Sequence, residues 1–410
     1  METTRSRQVI VAGAGIAGLT AALAFASRGF SVHVFERRDE PAEAGAGLQL
    51  SPNATRILER LGVLRHLRGV AVQPEAVVLR DMATLAELAR VPLGASAEAR
   101  WRAPYLVAHR ADLLRALLAT VEEEAEIRLT TAATVRDVAM HHQGVTASID
   151  VGQTIRDVRG LLVVGADGVW SNLRSLAKGR ASQFSGQIAW RRTLSADDHG
   201  VKALGTARRV SAFLHPGCHL IAYPIRSGSA VNLVAFTSGA GLATEWSTPI
   251  DPSPLAWAMQ GAAPALMEIV TDGGTWTAWP IHTVDCRLPW TFGSGLALIG
   301  DAAHAMTPFA AQGAAMAIED AETLAAHVAS APDELGPALA AWETARRQRV
   351  LRVARRGAFN KLAWQASGPV ARIRDAILRH RSPTRLAADM DWLYGWEATS
   401  PRRSETAGAD

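Results

Sequence analysis

One short segment near the amino end restricts the fold more than any other: Gly13-Ala14-Gly15-Ile16-Ala17-Gly18, placed directly after the apolar run Val9 to Ala12. A helix-like pattern runs from Ile16 to Ser27, with Gly29 as a stop. A second β-type run, Ser31 to Phe35, ends at Glu36. Strand, GxGxxG, helix, strand and acidic residue within about 30 residues form the dinucleotide-binding unit of a parallel sheet. Gly13 permits the tight turn, Gly15 lets the backbone approach a pyrophosphate, and Gly18 lets helix and strand pack closely. The helix start at Ala17 offers unpaired N–H groups and partial positive charge to phosphates. Glu36, with Arg37 beside it, stands where a ribose is held. The motif alone does not separate FAD from NAD.

Two later segments narrow the choice. Leu161 to Val164 runs into Gly165-Ala166-Asp167-Gly168 and on to Arg174. Leu296 to Ile299 runs into Gly300-Asp301-Ala302-Ala303-His304, and Gln312-Gly313-Ala314 then opens a long helix carrying Glu319 and Asp320. With Gly45 to Asn53 and His109-Arg110-Ala111-Asp112-Leu113, these stretches resemble the single-component (class A) flavoprotein aromatic hydroxylases of the para-hydroxybenzoate hydroxylase fold. Within them the chain is similar to the branch of salicylate hydroxylase, 3-hydroxybenzoate 6-hydroxylase and 6-hydroxynicotinate 3-monooxygenase. The resemblance covers about residues 8 to 395.

The resemblance implies an α/β chain: a Rossmann-type FAD-binding domain (GR2-like), an inserted mainly antiparallel β-sheet substrate domain, and a helical C-terminus. The expected division is 1–75, 104–180 and 285–365 for FAD, 76–103 and 181–284 for substrate, and 366–410 for the C-terminal segment. It also implies FAD as cofactor, NADH or NADPH as co-substrate, and dioxygen, one atom of which reaches a small phenolic or hydroxybenzoate-like ring through a flavin C4a-hydroperoxide. Asp301 is expected at the ribityl chain and Arg110 at the phosphate and ribityl region. Gly313 and Ala314 are expected under the flavin N1–C2=O edge, where helix N–H groups stabilise the anionic reduced ring. The Asp167-Gly168 segment is associated in the family with both nucleotides; here Asp167 can equally brace a turn, and Arg174 a neighbouring carboxylate. His304 is expected to brace its loop. No second GxGxxG exists, so no separate pyridine-nucleotide domain is expected.

Between 181 and 284 helical periodicity gives way to β-type runs: Gly186 to Leu194, Arg209 to Leu214, His219 to Ile225, Ala230 to Thr237 and Thr275 to His282. Turn residues such as Pro216-Gly217 and Ser227-Gly228 separate some of them. His219-Leu220-Ile221-Ala222-Tyr223-Pro224 resembles the HxxxYP stretch of the hydroxybenzoate and hydroxynicotinate branch. Strand positions four apart share a face, so His219 and Tyr223 can point into one pocket. A histidine near its ordinary pKa of ~6.5 suits removal of a phenolic proton, relayed through Tyr223. A core pair satisfied by neighbours is the competing reading. Arg191 is either a bidentate anchor for a substrate carboxylate or a sheet-edge charge. Gln49 and Pro308 complete the expected substrate surroundings. Some of the branch carry His and Gln at these two positions, so its substrate specificities do not transfer directly.

Bulk properties exclude other classes. Hydrophobic residues make up 48% and charged residues 20%, with a net charge of +4, as in an ordinary globular chain. The basic runs Arg346 to Arg356 and Arg372 to Arg385 lie in helical patterns and read as solvated faces or helix ends, so no nucleic-acid partner is expected. Two cysteines, Cys218 and Cys286, give no disulfide framework and no metal spacing, and a cytoplasmic location follows. No apolar run reaches the ~18 residues of a membrane span. Arg5 and Arg7 before an apolar stretch imitate a signal peptide, but the glycines of the turn argue against one. Helices are expected at Leu324 to Arg356 and Asn360 to Arg381, disorder after Pro401, and a docked aromatic segment at Asp391 to Trp396. A monomer or homodimer fits. Two alternatives stay open: a same-fold oxygenase acting on a larger substrate (a quinone precursor, a kynurenine-like molecule or an antibiotic), and a non-oxygenase Rossmann nucleotide-binding protein.

Overall fold

The structure, a computed structural model, describes residues 7–41, 47–177, 179–240 and 249–398. Gly45, Ala46, Arg5 and the tail after Pro401, all named above, lie outside the described residues.

The apolar runs form one six-stranded sheet. Its order is Thr291–Phe292, Leu296–Leu298, Leu162–Gly165, Gln8–Ala12, Ser31–Phe35, Ile127–Thr130. All neighbours are parallel except the edge pair Thr291–Phe292 with Leu296–Leu298. Val9, Ile10, Val11, Leu162, Val163 and Val164 are fully buried, as expected of parallel strands covered on both faces. The Ile16–Ala26 helix leaves the first strand and packs along the Gly313–Ser330 helix. A three-stranded antiparallel sheet, Ala133–His141, Gly144–Val151 and Thr154–Gly160, stands beside this core. Its half-exposed strands carry too weak an apolar pattern to be predicted from the sequence.

The second large sheet has eight strands in the order Pro249–Ile250, Trp276–Thr283, Gln183–Ser195, Ala230–Ser238, Cys218–Ile225, Arg209–Leu214, Ala76–Asp81, Glu87–Pro92. Every pairing is antiparallel except Arg209–Leu214 with Ala76–Asp81. Alternation divides its residues between two cores. Leu220, Ala222, Leu233 and Ala235 pack with Leu255, Leu266, Ile269 and Val270 of the covering helices Ser253–Ala258 and Pro264–Thr271. Ile221, Tyr223, Phe236 and Trp279 join the core of the parallel-sheet layer. That second face is therefore the one packed on the parallel-sheet layer.

The C-terminal helices differ from the expected bounds. They run Gly313–Ser330, Leu335–Trp364 and Gly368–His380. Pro332 cannot continue a helix, which splits the expected Leu324 to Arg356 stretch. The second helix runs through Asn360, and Ser367-Gly368-Pro369 starts the next. Among the described residues no helix is long and apolar enough to cross a membrane.

Candidate active site

The glycine-rich turn is dictated by close approach. Gly13 has φ +103°, and a Cβ there would stand 2.6 Å from the Ala166 carbonyl oxygen. A Cβ on Gly18 would stand 1.9 Å from the Gly13 oxygen. Gly15 is the residue before the Ile16–Ala26 helix, and Ala17 lies in its first turn. The Glu36 carboxylate reaches back across the turn and accepts from the Ala14 N–H at 2.8 Å. Arg37 beside it is exposed.

The three glycine-bearing motifs meet here. Ala166 donates to the Ala12 carbonyl at 2.9 Å, and Ile299 to the Gly165 carbonyl at 2.9 Å. Gly300, at φ +57°, sits so that a Cβ would lie 3.2 Å from Ala17 and 3.0 Å from Ala317. Asp301, the next residue, opens the short helix Asp301–His304 rather than ending a strand, and its side chain is exposed. Asp301 is thus one residue from the contact with the first turn of the nucleotide helix. Gly313 and Ala314 open the Gly313–Ser330 helix and are partly exposed. A Cβ on Gly313 would meet no atom within 4 Å. Arg110 is the first residue of the Arg110–Glu122 helix, capped by the His109 ring, which accepts from the Ala111 N–H at 3.2 Å.

Behind this end lies a buried charge network that sequence reading missed. Asp320 accepts from the Gly300 N–H at 3.0 Å, from His304 Nε2 at 2.5 Å and from Arg346 Nε at 2.8 Å. Glu319 accepts from Arg346 Nη1 at 2.6 Å, Arg349 Nη2 at 2.9 Å and Asn53 Nδ2 at 2.7 Å. Asn53 also donates to Gln312, the residue before Gly313, at 3.2 Å. Burial alone pushes the Asp320 carboxyl up, yet His304 and Arg346 bring it down to about 2. His304 braces its loop through Asp320. Arg346 and Arg349 are buried, which corrects their reading as part of a solvated face; their donors and the carboxylates of Glu319 and Asp320 satisfy one another inside. Arg174 is corrected too. It donates to the carbonyls of Ala302, Val169 and Arg180 rather than to a carboxylate. Asp167 braces its turn, accepting from the Leu173 N–H at 3.1 Å.

On the inward face of the eight-stranded sheet, register sets three rows. The first holds Trp279, Ala189, Phe236 and His219; the second Thr277, Arg191, Val234 and Ile221; the third Thr193, Asn232 and Tyr223. Val234 is partly exposed where Phe236 and Asn232, on either side of it along the strand, are buried. The middle row is thus less covered at Val234 than the rows on either side, which hold His219 and Tyr223. Four residues of strand separate those two by about 13 Å, with Ile221 between them, so no direct proton relay joins them.

His219 lies among Phe236, Phe309 and Trp364, with ring centroids at 4.9, 5.2 and 5.3 Å. Gln365 Nε2 is 3.5 Å from its Nδ1. Burial, with a smaller contribution from Lys361, lowers its pKa to about 3. The expected histidine of ordinary pKa is thus a neutral imidazole throughout the physiological range. Burial raises the Tyr223 hydroxyl above its ordinary value, opposed by the Arg191 charge. Arg191 is on an interior strand, which removes the sheet-edge reading, and its guanidinium lies 4.6 Å over the Trp279 ring. Gln49 accepts from the Tyr105 hydroxyl at 2.6 Å. Pro308 starts a 3-10 turn that presents Phe309 to His219. Trp279, Asn232 and Phe309 were missed from the sequence. Strand alternation around Val234 could have found Asn232 once the register with Tyr223 was known.

Comparison with known proteins shows the family and the fold. The sequence model of the family described as "FAD binding domain" matches residues 6–357. The 3-hydroxybenzoate 6-hydroxylase of Polaromonas naphthalenivorans (strain CJ2) is 32% identical over 95% of this chain and 96% of its own length. The 3-amino-4-hydroxybenzoate 2-monooxygenase PtnB3 of Streptomyces platensis is 36% identical over 97% and 98%. Among solved structures, a salicylate hydroxylase substrate complex superposes with a TM-score of 0.79 at 22% identity, over 97% of this chain and 99% of that one. HpxO of Klebsiella pneumoniae, complexed with FAD and uric acid, superposes at 0.77 and 23% identity, over 93% and 95%.

Proposed function

The chain belongs to the FAD binding domain family, and from that membership we propose that it is a monooxygenase that hydroxylates a small hydroxybenzoate-like ring, with dioxygen and NADH or NADPH as co-substrates. The observation that carries the reading is the partly exposed Val234 between buried Phe236 and Asn232, with His219, Tyr223 and Arg191 around it on the sheet face that joins the parallel-sheet core.

The residues fit the cofactor. The turn at Gly13, Gly15, Ala17 and Gly18 suits a pyrophosphate, and Glu36 and Arg37 suit the adenosine end. Arg110 and Asp301 suit the phosphate and ribityl chain. Gly313 has no protein neighbour that requires a glycine, so the space beside its backbone suits a flat ring, with the helix start at Ala314 facing its polar edge. Bound FAD supplies the electron transfer and the oxygen activation.

The chain's own work is orientation and proton handling. A hydroxybenzoate ring lies on Val234 and Ile221, with its hydroxyl toward His219 and its carboxylate toward Arg191 and Tyr223. Gln49 and Pro308 close the sides. Burial holds the His219 imidazole neutral, well below its ordinary value, and a phenol is a weak acid that keeps its proton near neutral pH. His219 therefore accepts a hydrogen bond in the resting complex instead of the proton. As the new C–O bond forms, the ring loses electron density and the hydroxyl acidifies, and the proton is shared with the waiting nitrogen then. The aromatic cage of Phe236, Phe309 and Trp364 excludes water from that step.

The test is oxidation of NADH and NADPH by the flavin-loaded protein in the presence of the hydroxybenzoate isomers and their amino derivatives. At least one should stimulate oxidation and yield a product carrying one 18O atom from labelled dioxygen. Stimulation by none of them would remove this substrate class.

A further inference from the structure

We propose that Asn232 is a specificity-determining residue, whose side-chain NH2 donates to the carboxylate of the aromatic substrate. The inference rests on the preceding reading that the ring lies over Val234.

Asn232 is 2% exposed on the strand Ala230–Ser238, directly opposite Tyr223 and one row from Arg191. Its Oδ1 accepts from the Gly47 N–H at 2.9 Å. A backbone N–H requires an acceptor, so this bond settles which end of the amide is oxygen. The Nδ2 end is buried and has no hydrogen-bond partner among the described residues. Leaving such a donor unpaired is costly, and packing alone would avoid that cost by placing an apolar residue here. The amide cannot swing away. A Cβ on Gly47 would lie 2.8 Å from its Cγ and 2.6 Å from the Tyr223 ring, so the strand Gly47–Leu50 presses on both side chains.

This part of the sheet face therefore presents donors: the amide NH2, the Tyr223 hydroxyl, and the Arg191 guanidinium whose charge Tyr223 feels. Guanidinium has no acceptor, and the oxygen of Asn232 is already bonded to the Gly47 N–H. A substituent rich in acceptors and negatively charged matches such a wall. An ammonium or other donor-only group would leave the amide NH2 unsatisfied and would bring a second positive charge toward Arg191.

Asn232→Asp keeps the oxygen that holds Gly47 and replaces the donor with a second carboxylate oxygen. The flavin-loaded wild type and variant are titrated with the best hydroxybenzoate isomer and with the matching hydroxybenzyl alcohol and hydroxybenzylamine, reading the shift of the flavin absorbance band. Wild type should bind the benzoate most tightly and the amine least. Asn232→Asp should weaken the benzoate by about 10- to 100-fold and leave the alcohol within about threefold. Equal losses for benzoate and alcohol, or an unchanged benzoate affinity, overturn the inference. The wild-type series stands alone if the variant loses its flavin: an amine bound as tightly as the benzoate overturns it equally. Absence of binding by every hydroxybenzoate isomer would instead sink the substrate reading itself, and Asn232 with it.

Discussion

At Gly313 a methyl group would meet no protein atom within 4 Å, and the backbone there is not left-handed; at Gly18 the same methyl would lie 1.9 Å from a carbonyl oxygen. The two glycines therefore answer to different masters, one to a ligand and one to the fold. Gly313→Ala should leave the melting temperature of the apoprotein unchanged or raise stability by about 0.4–1 kcal/mol through lost chain entropy. Gly313→Val should behave alike without ligand, yet weaken FAD at least tenfold in a fluorescence titration. Gly18→Ala should abolish cooperative unfolding, because backbone must shift to admit it. A Gly313→Val protein that binds FAD as wild type does would place the flavin elsewhere. Residues of this kind were legible in the sequence, since a backbone that needs glycine can be met by no other residue. Asn232 and Trp279 were not, because their neighbours come from cross-strand register and no local pattern announces it. The pKa of His219 was illegible for the same reason: the rings that bury it come from Phe309 and Trp364, far along the chain.

Between elements, the Gly313–Ser330 and Leu335–Trp364 helices are joined by Glu319, Asp320, Arg346 and Arg349, all buried. The basic run was read as a solvated face because arginine is usually exposed, and the matching acids lie one helix earlier, separated by the break at Pro332. The element types were read well where alternation or glycine marked them, and badly at Ala133 to Gly160, where half-exposed hairpins carry only a weak apolar signal. A buried ion network is poor evidence of net stability, but breaking it is costly, because a carboxylate is left unpaired. Arg346→Met should therefore destabilise by about 3–5 kcal/mol, measured by chemical denaturation of the FAD-loaded protein. Arg346→Lys should recover little, since one ammonium cannot reproduce the fork that spans Glu319 and Asp320. The Gly300 N–H hangs on Asp320, so a loosened network should also lower FAD affinity.

Across the whole molecule the chain's last described segment returns to its centre. The Asp391 carboxylate accepts from Arg100 Nε at 2.6 Å and from Trp101 Nε1 at 2.8 Å, at the margin of the eight-stranded sheet. Arg349 donates to the carbonyls of Trp392 and Leu393, and Arg56 to that of Trp396. Leu393 and Tyr394 are buried, and Tyr394 meets Trp101 edge-on at 5.0 Å and Tyr105 at 5.8 Å. Tyr105 in turn donates to Gln49. The segment thus links the ion network, the sheet margin and one expected wall of the substrate space. Truncation after Ala388 exposes two large side chains and strips carbonyl partners from two arginines. The loss should be at least about 3 kcal/mol, seen as a lower denaturation midpoint. Stability alone would be recovered by working at lower temperature; positioning would not. At a temperature where the truncated protein is folded and flavin-loaded, its KM for the aromatic substrate should rise severalfold, because Tyr105 no longer holds Gln49 against a fixed neighbour. A truncated protein with the wild-type KM would reduce the segment to a purely mechanical strap.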